Sequence, residues 1–147
     1  MKILVCDQLQ EVVLNQLIEL GEITDISSSS NKHEELLKHI IEAEIVVIRS
    51  ATTLTKEILE HAKKIKIIAR CGVGIDNVDV EFAKSREIFV TNAPTANLIS
   101  LVEHTIGLIL STARRIHESN VSTKSGKWEK SKFVGLELHK KQLGIIG

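Results

Sequence analysis

Three short segments of this 147-residue chain carry side chains suited to chemistry: Asp7-Gln8, Arg49-Ser50-Ala51-Thr52 and Arg70-Cys71-Gly72-Val73-Gly74. Each follows directly on an apolar, Ile- and Val-rich run. Arg49 brings a planar fork of donors matched to carboxylate or phosphate, and Ser50 and Thr52 add hydroxyls. Gly72 and Gly74 let backbone N–H groups approach an anion closely, because glycine adopts conformations that other residues resist. Together these types suit a pocket for a small anionic metabolite. They equally suit a structural arrangement in which Arg49 pairs with a neighbouring carboxylate and the glycines only make a tight turn. The residues alone leave both readings open.

Gly72-Val73-Gly74 begins like the dinucleotide motif G-x-G-x-x-G, but position 77 is Asn and the next helical stretch starts only near Val80. It is therefore not the main phosphate-binding loop. Glu103 and His104 are neighbours on a helix, so they point in different directions and cannot work as a base and its orienting acid. His33, His39, His61, His117 and His139 lie in polar surroundings without ligand spacing, and Cys6 and Cys71 are too few and too far apart for a zinc site. No metal is expected.

The elements that must position these segments alternate regularly. Strands are expected at Ile3–Cys6, Ile23–Ile26, Ile45–Ile48, Ile65–Ala69 and Ile88–Thr91. Between them lie a helix from Glu11 to Leu20 ending at Gly21 as a C′ residue, one opened by an Asn31/Glu34 capping box and running to about Ile41, one from Thr55 to about Ala62, and a short one capped by Asp79 that ends near Arg86. Repeated β-α units argue for an α/β, doubly wound parallel sheet, here in the flavodoxin-like order 2-1-3-4-5. In such sheets ligands sit outside the carboxyl ends of the strands, where the three chemical segments fall. That order also places strands one and four about 9–10 Å apart, too far for a Cys6–Cys71 disulfide.

Beyond Pro94 the pattern changes. A helix over about 98–115 is apolar on more than one face, through Leu98, Leu101, Val102, Ile106, Leu108, Ile109 and Leu110, and must be covered by a second domain or subunit. A polar arm runs from His117 to Leu138 and holds the single tryptophan, Trp128; Gln142–Ile146 reads as one more buried strand.

Hydrophobic residues make up 43% and charged residues 26% of the chain, and Lys plus Arg balance Asp plus Glu at 19 each. This is the composition of a globular protein without the basic footprint of a nucleic-acid or membrane-surface partner. The first residues lack a signal-peptide pattern, and no apolar run approaches bilayer length, so a cytoplasmic location is expected.

Taken in order, Val47-Ile48-Arg49-Ser50-Ala51-Thr52, Ala69-Arg70-Cys71-Gly72-Val73-Gly74-Ile75-Asp76-Asn77-Val78-Asp79, the stretch Asn92 to Thr105, Gly126-Lys127-Trp128-Glu129 and Leu143-Gly144-Ile145-Ile146-Gly147 resemble the D-isomer-specific 2-hydroxyacid dehydrogenases over essentially the whole chain. The resemblance implies that residues 1–93 are most of a substrate domain. Residues 94–147 would then begin an incomplete Rossmann domain, with helix 98–115 building a homodimer or higher oligomer. It implies NAD as cofactor and a small anionic 2-hydroxy or 2-oxo acid as substrate, 3-phospho-D-glycerate first, with glyoxylate, hydroxypyruvate or D-lactate as alternatives. Arg49, Ser50, Cys71, Gly72 and Asn97 would bind substrate, Val73 would face the nicotinamide, and Gly147 would be the first glycine of the true dinucleotide fingerprint. Cys71 replaces a usual Ala, and Ala96 a frequent Gly. The rest of the fingerprint and the family's catalytic arginine, glutamate and histidine would lie beyond Gly147, so no catalytic residue is assigned and the chain alone is expected not to turn over substrate. The competing reading is a non-catalytic dimerising or regulatory module. A receiver-like signalling domain is excluded because Arg49 stands where a phosphorylatable Asp would be.

Overall fold

A computed structural model describes residues 1–146. The element order is β1 (Lys2–Val5), α1 (Glu11–Leu20), β2 (Glu22–Asp25), α2 (Lys32–Ile40), β3 (Ile45–Ile48), α3 (Lys56–His61), β4 (Ile67–Arg70), α4 (Val80–Ser85), β5 (Phe89–Asn92), α5 (Leu98–Ala113) and α6 (Ile116–Lys124), followed by a 3-10 turn at Lys130–Phe133. The five strands form one parallel sheet in the order β2-β1-β3-β4-β5. This is the expected α/β architecture and strand order. The chain divides into two compact units, 1–97 and 98–147.

In the first unit, alternation along each strand splits the core between the two faces of the sheet. Leu4, Val46, Ile48 and Ile68 meet Leu36 and Ile40 of α2, Leu59 of α3 and Ala83 of α4. Ile3, Val5 and Val47 meet Leu14 and Leu17 of α1 on the other face. β3 lies between β1 and β4 and is apolar at every position, as a strand covered on both sides must be.

The helix ends differ in detail from the sequence expectations. Gly21 is extended (φ 171°) and is not a left-handed C′ residue. A Cβ there would lie 2.1 Å from the Met1 carbonyl oxygen, so room for the first residue is what requires glycine. The capping box at α2 does not form: the Asn31 amide donates to the Glu34 carboxylate and no helix N–H reaches the Asn31 side chain. Thr55 occupies the N-cap position of α3 in extended conformation without a side-chain cap bond. Asp79 does cap α4, accepting from Phe82 N–H at 3.0 Å.

In the second unit α5 has no buried residue, and Leu98, Leu101, Val102, Ile106, Leu108 and Leu110 are all exposed. The segment read as a polar arm contains α6. Arg115 in the left-handed region (φ 53°) ends one helix and starts the next; its guanidinium pairs with Glu118 and donates to Lys132 O at 2.7 Å. Few apolar residues mark α6, so its period is faint in the sequence. The expected strand Gln142–Ile146 is not formed: Leu143, Ile145 and Ile146 are 68%, 82% and 104% exposed. A strand needs a hydrogen-bonded neighbour, and none is present for this segment among the described residues. Gly147, expected in cofactor binding, lies outside the described residues.

Ile48 is fully buried between sheet and helices. Ile48→Ala is expected to lower the unfolding free energy by about 2–5 kcal/mol, measured by urea denaturation.

Candidate functional site

Because β1, β3 and β4 are neighbours, the segments that follow them converge at one edge of the sheet. Arg49, Ser50, Arg70, Cys71, Gly72, Val73 and Asn97 line an open cavity of about 710 Å³, together with Gln10, Gly74, Ala93 and Ala96. The structure thus brings together every expected substrate-contacting residue, and Val73, while Gln10 and Arg70 join a wall to which the sequence reading had assigned no role for them.

The floor under this cavity is polar and buried. Asp7, only 3% exposed, extends the end of β1 beneath the turn that follows β3. Its Oδ2 accepts from Arg49 N–H at 2.6 Å and Thr52 N–H at 3.2 Å, and its Oδ1 accepts from the Thr52 hydroxyl at 2.8 Å. Lys32, at the start of α2, closes the set with an ion pair. Burial by itself would raise the Asp7 pKa. The Lys32 ion pair, the Arg49 N–H and the Thr52 hydroxyl outweigh it and hold the carboxyl below the usual carboxylate range. On the other side Asn77 donates through Nδ2 to Arg49 O (2.7 Å) and Thr52 O (2.6 Å).

The position where a glycine would have extended the dinucleotide motif thus holds a buried amide that ties two loops together. The sequence marks Asp7 as part of a chemical segment and Asn77 as a departure from the glycine motif, but it assigns neither a clamping role, because their partners lie 25 to 45 residues away.

The side chain of Arg49 is held by little, donating to Gln8 O at 3.3 Å. It makes no ion pair among the described residues, so the alternative of a guanidinium already satisfied by a carboxylate is not realised. Arg70 contributes a second cation, with its Nε buried and unpartnered. The acid nearest to Arg49 in the hydrogen-bond network, Asp7, is neutralised from below by Lys32, so the cavity presents two guanidinium groups. That is a field for an anion.

The glycines of the next loop have no left-handed backbone, and what a Cβ would meet at each is the end of a flexible side chain. A Cβ at Gly72 would lie 2.1 Å from Arg70 Nη1, and one at Gly74 would lie 2.7 Å from Asp76 Oδ1. The loop is pinned by Ala93 N–H donating to Gly72 O (2.9 Å) and Asn92 Nδ2 donating to Val73 O (2.6 Å).

Both cysteines are free. Burial pushes the Cys6 thiol up to about 12. Cys71 is exposed, and desolvation by its neighbours raises it despite the charges of Arg49 and Arg70. Glu103 and His104 are exposed on α5. Among the described residues no group of three His, Cys, Asp or Glu could hold a metal ion.

Two outcomes follow from these environments. A native thiol titration with an aromatic disulfide reagent is expected to modify Cys71 alone, with Cys6 reacting only after denaturation. The folded pKa of Asp7 lies below its unfolded value of about 3.9. Its contribution to stability is therefore complete above that value and lost as pH falls through the folded pKa. Denaturant titrations are expected to show this acid loss, reduced in Asp7→Asn, which should itself cost about 2–4 kcal/mol at neutral pH by leaving Lys32 and buried donors unpaired.

Residues 3–136 match the family model described as D-isomer specific 2-hydroxyacid dehydrogenase, catalytic domain. The chain is 46% identical over 146 residues to the D-3-phosphoglycerate dehydrogenase of Methanocaldococcus jannaschii, covering 99% of this chain and 28% of that protein. It is also 46% identical over 132 residues to the hydroxypyruvate reductase of Thermotoga maritima, covering 90% of this chain and 43% of the reductase. Among solved structures, the 3-phosphoglycerate dehydrogenase of Entamoeba histolytica with NAD+ bound superposes with a TM-score of 0.63 at 26% identity, over 78% of this chain and 39% of that one. The chain therefore spans less than half the length of these relatives. It belongs to the D-isomer-specific 2-hydroxyacid dehydrogenase family.

Proposed function

We propose that this member of the family is the substrate-binding front of an NAD-dependent D-3-phosphoglycerate dehydrogenase, acting in the cytoplasm at the entry to serine synthesis. Residues 1–93 form most of its substrate domain, and 94–147 begin its nucleotide domain. The observation that carries this reading is Arg49 beside Ser50 at the lip of the cavity, unpaired with any carboxylate among the described residues and lining the same space as Arg70.

The overall reaction takes a hydride from C2 of 3-phospho-D-glycerate and the proton from its hydroxyl, leaving 3-phosphohydroxypyruvate. NAD+ supplies the hydride acceptor. The residues of this chain bind and orient. Arg49 and Ser50 hold the anionic groups of the substrate by charge-assisted hydrogen bonds. Cys71 and Gly72 form a wall, and Asn97 lines the cleft. Val73, 45% exposed at the rim, offers an apolar surface that would face the nicotinamide. Gly147 is assigned to the dinucleotide fingerprint. No residue of this chain is assigned the acid–base role. The exposed apolar side chains of α5 are assigned to a homodimer or higher oligomer, which shields them from water.

The equal identity to the Thermotoga hydroxypyruvate reductase favours a second reading, reduction of hydroxypyruvate or glyoxylate on the same scaffold. A substrate panel followed at 340 nm separates the two. The polypeptide that carries this chain is expected to show its highest kcat/KM with 3-phospho-D-glycerate and NAD+; a preference for unphosphorylated acids would overturn the first reading. Arg49→Met is expected to lower kcat/KM by about 10- to 150-fold, the value of hydrogen bonds to a charged group. The 147-residue chain by itself is expected to form no NADH.

A further inference from the structure

We infer that Asp7 and Asn77 are positioning residues for substrate binding: between them they grip both ends of the turn that presents Arg49 and Ser50, and they set the affinity for the anion without touching it. This rests on the reading of the cavity as a site for an anionic 2-hydroxy acid and adds to it the residues that make the site rigid.

Four backbone groups carry the inference. At residue 49 the N–H goes to Asp7 (2.6 Å) and the carbonyl receives from Asn77 (2.7 Å). At residue 52 the N–H again goes to Asp7 (3.2 Å) and the carbonyl again receives from Asn77 (2.6 Å). An acceptor-only carboxylate and a doubly donating amide thus take hold of the same two peptide positions from opposite sides, and the Thr52 hydroxyl adds a further bond to Asp7 (2.8 Å). Ser50 and Ala51, between the two gripped positions, are exposed, and Ser50 lines the cavity. The clamp continues into the next residues, where Leu54 N–H donates to Asn77 O (2.8 Å) and Asp79 N–H to Leu54 O (2.9 Å).

The Arg49 backbone is therefore fixed at both of its peptide groups, whereas its guanidinium keeps one long bond to Gln8 O. With the backbone fixed, only the side chain of Arg49 has to be ordered when an anion binds, which limits the reorganisation cost. The second observation is the one-sided bonding of Asn77. Its Oδ1 has no hydrogen-bond partner among the described residues, so the two bonds made by Nδ2 are what its side chain supplies to the protein. Lys32, drawn from α2 to Asp7, keeps that carboxylate charged and oriented.

The test uses the complete polypeptide that carries this chain. Asn77→Ala and Thr52→Val are compared with wild type and with Thr52→Ser, which keeps the hydroxyl. Both disruptive variants are expected to raise KM for 3-phospho-D-glycerate by about 10- to 100-fold, the effect of displacing a binding group by an ångström. The KM for NAD+ and kcat are expected to stay within about twofold, and Thr52→Ser is expected to restore the wild-type KM. Unchanged substrate KM in both variants, with only a lowered Tm, would show a merely structural role and overturn the inference. If Asn77→Ala does not fold, the Thr52→Val and Thr52→Ser pair decides. If wild type ignores 3-phospho-D-glycerate, the substrate reading falls. The same comparison is then made with whichever 2-hydroxy acid of the panel is turned over, and if none is, with the Kd for inorganic phosphate.

Discussion

A carboxylate placed inside a protein must be compensated or it will not stay ionised, and Asp7 is placed inside this one. Its compensation comes from three residues distant in the chain: Lys32 on α2, Arg49 through its peptide N–H, and Thr52 through its N–H and hydroxyl. The demand of one buried charge therefore joins the end of β1, the start of α2 and the turn after β3. The rest of the cavity is arranged around that junction. The turn cannot move without leaving the carboxylate short of donors, and α2 cannot move without removing its counter-ion.

The sheet makes this junction cheap to form. Parallel pairing of β1 with β3 and of β3 with β4 sets Val5, Val47 and Ala69 in register, so the residues just beyond them emerge at the same level. The apolar character of β3 on both faces leaves it no alternative to the centre of the sheet. With the strands packed in this way, the polar groups at their carboxyl ends are held near one another, and hydrogen bonds need only select the final geometry. The outcome is a division of labour. Asp7 and Asn77 face inward and are tied together through residues 49 and 52, whereas Arg49 and Arg70 line the cavity without a carboxylate partner among the described residues.

Much of this was legible in the sequence, and the omissions share a cause. The strand order, the helix α1 to the residue, the Asp79 cap and the cavity-lining residues Arg49, Ser50, Cys71, Gly72 and Asn97 all follow from local period, local residue type or family resemblance. Asp7 and Asn77 were not assigned because their meaning lies in partners 25 to 45 residues away. The capping box at Asn31 did not form: its Nδ2 donates to the Glu34 carboxylate and its Oδ1 accepts from no helix N–H. α6 was missed because a helix with few apolar residues leaves no periodic trace. The expected strand Gln142–Ile146 shows the converse: its apolar run was real, but pairing depends on another strand and not on its own residues.

The sequence by itself determined the class of the fold, the order of the strands and the chemical types available at their ends, because hydrophobic period and turn residues act over a few positions and can be read there. Tertiary structure alone decided which of those polar groups would be spent on one another and which would remain open to a ligand. That choice depends on distances between residues far apart in the chain. For a charge or an amide, the difference between a buried partner at under 3 Å and none separates a structural role from a binding one.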